Sequence, residues 1–189
     1  FYSSAKSARE SIVFGSDNHP PSFALTVGNN YREFDKAADF LSPLLPHPFL
    51  FQIMSFTETA RSLLEWNRGL QETDALRLLY MLFGYDELDM PETIDGLIPR
   101  FPVPSSDYSE TKVPMPEVVA MEARKAKAAS TGRVPIYGIV AAHQLITPDG
   151  AARRVKAMLD AGMEGVILQV GQLPGPPANL DAIGRVLRG

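Results

Sequence analysis

Between residues 134 and 170 the spacing of the hydrophobic positions changes twice. Residues 136–142 are almost continuously apolar (Ile136, Tyr137, Gly138, Ile139, Val140, Ala141, Ala142), the pattern of a strand covered on both faces of a parallel sheet. Apolar residues then recur at Ala151, Ala152, Val155, Met158 and Leu159, one face of a helical repeat. Thr147 has a helix-capping side chain, Pro148 suits the first helical position, and Asp149 complements the positive end of the helix. Gly162 supplies a left-handed stop, and Val166, Ile167 and Leu168 open a second buried strand. Together these make a βαβ unit.

The same alternation of short apolar runs and helical repeats predicts the other elements. Residues 12–14 form a short strand that ends in the turn-rich residues 15–21. Residues 23–27 form a strand that stops at Gly28. Asn29 or Asn30 caps a helix whose inner side is Tyr31, Phe34, Ala38 and Leu41, and Pro43, Pro46 and Pro48 end it. Residues 49–54 read as a strand, followed by a helix capped by Thr57 with Ala60, Leu63 and Leu64 inward. Residues 76–83 are apolar nearly all round, which predicts burial on more than one side, beneath other elements or against a partner. A helix starting near Pro116 carries Arg124, Lys125 and Lys127 towards its end, and a last helix begins at Asn179 or Asp181 with Leu180, Ile183 and Leu187 inward. The fold class is α/β: a parallel sheet of βα units, open and doubly wound or like part of a barrel. Residues 86–116 form a long Pro-rich loop. Leu97, Ile98, Phe101, Val103, Tyr108 and Val113 alternate with its prolines, so it reads as a strap that covers its own domain or a neighbour.

Residues 161–168, with a glycine ahead of a buried strand, resemble in a general way the βα units of (βα) barrel enzymes. The resemblance covers about a quarter of the chain and is shared by many families. It implies a fold and no particular activity.

Composition narrows the function. A net charge of −4 argues against nucleic acid as a partner, and the absence of cysteine removes disulfides, thiolate metal sites and a cysteine nucleophile. No apolar run is long enough to span a bilayer. Residues 1–9 hold Lys6, Arg9 and three serines before the first acid at Glu10. This is the composition left after cleavage of a mitochondrial targeting peptide, so residues 1–22 read as an N-terminal extension and residues 23–189 as one α/β domain.

In a parallel sheet, ligands bind beyond the carboxyl ends of the strands. The residues expected there are Gly28, Asn29, Asn30, Ser55, Thr57, His143, Gln144, Gly171 and Gln172, a ring of amides and hydroxyls with one imidazole. General acid–base or covalent chemistry calls for a carboxylate, a lysine or paired histidines at that rim. His143 is the one candidate catalytic group; Asn29, Asn30, Thr57, His143 and Gln144 are the candidate ligand-binding set. No metal ligation or cofactor motif is read, because His19, His47 and His143 share no ligand spacing and residues 171–177 are too rich in proline to cradle a phosphate.

The expectation is a non-catalytic accessory subunit of a mitochondrial assembly such as ATP synthase or a respiratory complex. It would lie on the matrix side or near the inner membrane and contact other subunits through the 86–116 strap and the apolar 76–83 helix. The alternative is an α/β enzyme or small-ligand-binding protein with its pocket at the strand ends.

Overall fold

Short parallel strands carry the half of the molecule formed by the early and late parts of the chain. The computed structural model describes residues 2–45, 55–98, 112–142, 146–169 and 177–189. In chain order these form α1 (Tyr2–Ala8), β1 (Gly15–Asn18), α2 (Pro21–Ala24), a 3-10 turn (Leu25–Val27), α3 (Tyr31–Lys36), β2 (Phe40–Pro43), α4 (Phe56–Trp66), α5 (Glu72–Phe83), α6 (Ile94–Leu97), α7 (Met115–Ala129), β3 (Tyr137–Ala141), α8 (Pro148–Asp160), β4 (Gly165–Gln169) and α9 (Pro177–Arg188). The fold mixes helix with small two-stranded parallel sheets, β1 with β2 and β3 with β4. Parallel bridges from Leu41 to Ile136 and from Leu44 to Ile139 set β2 beside β3. Helix α7 packs on α3 and α8, and α8 packs on α9.

The βαβ unit forms as its pattern dictates. Thr147 caps α8 by accepting from the Gly150 N–H, and Ala151, Val155 and Met158 are buried. Gly162 takes φ 93°, where a Cβ would be strained. Strand β3 is covered on both faces, whereas β4 has Ile167 and Gln169 exposed.

The first third departs from its pattern. Residues 23–27 are helical: Pro21 sits in the first turn of α2, and the 3-10 turn closes on Gly28 at φ 71° with Leu25 and Val27 exposed. The strand expected at 12–14 lies at Gly15–Asn18 instead. The helix after Asn30 stops at Lys36, so that Leu41 belongs to β2. Residues 14 and 39 exchange hydrogen bonds (Asp39 N–H to Phe14 O, 2.7 Å; Phe14 N–H to Asp39 Oδ2, 2.8 Å), which pins the two strands in register just before they begin. Residues 15–22, placed with the N-terminal extension by sequence, thus contribute β1 and the start of α2. Helix α1 is tied down as well, by Lys6 to Asp39 at 2.7 Å and by Tyr2 Oη donating to Asp39 Oδ1 at 3.0 Å. In α9, which starts at Pro177, the buried side is Asn179, Ala182 and Ile183, and Leu180 and Leu187 are exposed. The strand expected at 49–54 lies outside the described residues.

Two hydrophobic cores result. One joins Leu41, Ile136 and Val140 of the strands to Val119, Ala123, Val155 and Met158 of the helices. The other joins α4, α5 and α6 through Phe56, Leu76, Leu79, Tyr85 and Leu97. Both described ends of the proline-rich stretch belong to this second core, through Leu97 and Val113, and the Lys112 N–H donates to Gly96 O at 3.3 Å. Residues 99–111 lie outside the described residues. Helix α7 serves both cores, with Val118 in the second and Val119 in the first.

Candidate functional site

The strands within each pair are parallel, and the bridges between β2 and β3 are parallel too, so their carboxyl ends lie on one side of the molecule. At the end of β1, Asn18 is buried and its amide donates to Asn29 Oδ1 at 3.1 Å, while its own Oδ1 accepts from Ser16 Oγ at 2.9 Å. Ser42 Oγ of β2 donates to Ser16 O at 2.9 Å. These polar groups satisfy one another, as buried polar groups must.

Of the residues singled out from sequence, Asn29 does reach the rim, held there by Asn18. Asn30 caps α3 by accepting from the Arg32 N–H. Thr57 does not cap α4: Ser55 precedes the helix, and Thr57 is buried inside its first turn. His143 and Gln144 lie outside the described residues.

Three features escape a sequence reading. The first is Asp17, opposite Ser42 in the β1–β2 register, exposed, with no hydrogen bond or ion pair at its carboxylate among the described residues. It was hidden because residues 15–18 look like a turn. The second is Arg154, a fully buried guanidinium on α8; its place three residues after Ala151, on the inward face, was the available signal. The third is a polar knot where the two cores meet. Glu122 of α7 is fully buried; its Oε1 accepts from Ser22 Oγ (2.5 Å), Tyr85 Oη (2.8 Å) and Lys125 Nζ (3.0 Å), and its Oε2 from the Ser22 N–H (3.0 Å). Lys125 Nζ also donates to Ser22 Oγ at 2.8 Å and Phe83 O at 2.7 Å, and sits 4.4 Å from the centre of the Tyr85 ring. Burial, then the Glu122 charge, pushes the Tyr85 hydroxyl well above its ordinary value.

A serine beside a lysine and a carboxylate has the composition of a nucleophilic dyad, but this geometry does not fit one. All three protons of the lysine ammonium have acceptors, and the serine proton points at a carboxylate. The knot fastens α2, α5 and α7 together.

Among the described residues no three His, Asp or Glu side chains converge as a metal ion would require, and no helix is long and apolar enough to cross a membrane. A cleft of about 280 Å³ lies on the helical half, lined by Thr73, Arg77, Tyr80, Met81, Asp86, Met90, Pro91 and Glu92. Tyr80 Oη donates to Pro91 O at 2.6 Å and shapes its floor. Beside it, Leu78, Met81 and Leu82 are 53%, 61% and 72% exposed, so only the side of α5 formed by Ala75, Leu76, Leu79 and Tyr80 is buried. Within the chain itself the 76–83 helix is therefore covered on one side, by neighbours of Ala75, Leu76, Leu79 and Tyr80, and the other side of the expected burial is left to a partner.

No protein-family model matches this chain, and no curated protein matches it at a significant level.

Proposed function

We propose that this chain is a non-catalytic accessory subunit that docks on other proteins of a larger assembly, with α5 as a contact surface. The observation that carries this reading is the outward side of α5, where three large apolar side chains lie at helical spacing in water. Scattered single apolar residues are ordinary on a surface, but a stripe beside a cleft marks an interaction site. The self-satisfied amides at the described strand ends support the same reading. The mitochondrial setting, in ATP synthase or a respiratory complex, belongs to this proposal and draws on the basic composition of residues 1–9.

The test is cross-linking and native recovery from the source cell with the unaltered chain and with Leu78→Asp/Leu82→Asp. Stoichiometric recovery in a defined complex that is lost with the variant is the expected result. A free, monodisperse monomer in both cases overturns the proposal.

One observation favours a second reading, a small-ligand or enzyme site over a partial-barrel-like sheet. Asp17 presents an exposed carboxylate, unengaged among the described residues, at the carboxyl end of β1, next to Ser42. Under that reading, Asp17→Asn abolishes metabolite-induced thermal stabilisation while the free protein melts as before.

A further inference from the structure

We infer that the outward side of α5 and the adjoining cleft take a basic, amphipathic helical segment of a partner protein; this rests on the docking role proposed above. Leu78, Met81 and Leu82 stand at i, i+3 and i+4, the spacing at which a helix offers one continuous strip to a second helix. Met81 also lines the cleft, so the strip and the hollow are one surface. Methionine fits irregular partner side chains without strain, which suits a groove that must accept a chain from outside.

Charge selects the partner's polar side. Residues 55–98 carry nine carboxylates and three arginines, a net of −6 against −4 for the whole chain. Asp86, Glu87, Asp89 and Glu92 are exposed on the segment that walls the cleft and form no ion pair among the described residues. Arg77 is one cation against Asp86 and Glu92 in the cleft lining, with Glu87 and Asp89 beside it, so the apolar strip is flanked by a net negative surface that matches lysine or arginine beside leucine-like anchors. The same field repels nucleic acid and the anionic surface of a membrane, and neither supplies ordered apolar anchors for the strip.

The probe is a synthetic leucine–lysine peptide of about 20 residues patterned as an amphipathic helix, compared with a leucine–glutamate peptide of the same apolar pattern. In titration calorimetry against the full chain, the lysine peptide binds and the glutamate peptide does not. Leu82→Asp weakens binding at least about tenfold, and Asp86→Asn/Glu92→Gln weakens it about threefold with a shallower salt dependence. Leu82, Asp86 and Glu92 are all exposed, and far-UV circular dichroism verifies that each variant keeps its fold. Equal binding of the two peptides, or binding untouched by Leu82→Asp, overturns the inference. So does concentration-dependent self-association abolished by Leu187→Asp, which would make α9 of a second copy, with exposed Leu180, Leu187, Arg185 and Arg188, the occupant. Failure of the peptide while α5-dependent cross-links persist in the cell removes only the partner's chemistry. Failure of both removes the docking role itself.

Discussion

Asp39 sets the junction between the N-terminal helix and the strands. Hydrogen bonding to Lys6, followed by the Phe14 N–H, holds its carboxyl at about 2, against an ordinary 3.8. A depressed carboxylate pKa stabilises the fold above the unfolded value and ceases to do so as pH falls through the folded value. Denaturation midpoints of the unaltered chain are expected to fall between about pH 4 and pH 2 by more than those of Asp39→Asn. Parallel curves for the two proteins would remove this link. Glu164, ahead of β4, behaves alike in direction. Burial raises its carboxyl pKa, but hydrogen bonds from Lys127 (2.5 Å) and the Ile136 N–H (2.9 Å) outweigh it, and the value lies below the ordinary one. Neither role was legible in the sequence, because each depends on partners 25 or more residues away.

At the scale of elements, all four strands begin in one row of aromatic and glycine residues. The Phe40 ring covers Gly15, the Tyr137 ring covers Gly165, and the two rings are 5.5 Å apart. A Cβ on Gly15 would come within 2.0 Å of Phe40 Cζ. Gly15→Ala is expected to cost about 1–3 kcal/mol in urea denaturation, towards the lower end because the half-buried ring can swing aside. Combined with Phe40→Ala, the two losses should add to less than their sum; simple additivity would show that the ring does not rest on Gly15. The βαβ unit was readable because each of its strands is apolar and its helix has a cap, a repeat and a stop. Strands β1 and β2 were not, since Gly15, Ser16, Asp17 and Asn18 favour turns, and Pro43 ends a strand as readily as a helix. Only pairing with each other and with β3 makes them strands.

For the molecule as a whole, the two cores meet along α7 and at the Glu122 knot. Removing one partner of a buried charged pair leaves the other without its neutralising charge. Glu122→Ala is expected to destabilise by about 3 kcal/mol, moderated by the partial water access of Lys125. Amide hydrogen exchange across a denaturant series follows the helical half through α5 and the strand half through α8. The two unfolding curves should coincide in the unaltered protein and separate in Glu122→Ala, with the α5 transition first. Coincidence in both proteins would assign the coupling to the apolar contacts of α7 and not to the knot. The charge of residues 55–98 is written in the sequence, and folding gathers it into one half of the molecule.

What the sequence by itself determined is whatever is encoded within a few turns of chain: the period of β3, α8 and β4, the caps at Asn30 and Thr147, the stop at Gly162, and the acidic, cysteine-free composition. Tertiary structure alone decided which apolar sides are covered, since a helix as apolar as α5 carries no record of how many neighbours it will meet. It also decided that Asp17 would stand exposed, while Glu122 would be enclosed. Local rules fix dihedral angles and periodicity, whereas burial and charge pairing depend on surfaces brought together from distant parts of the chain.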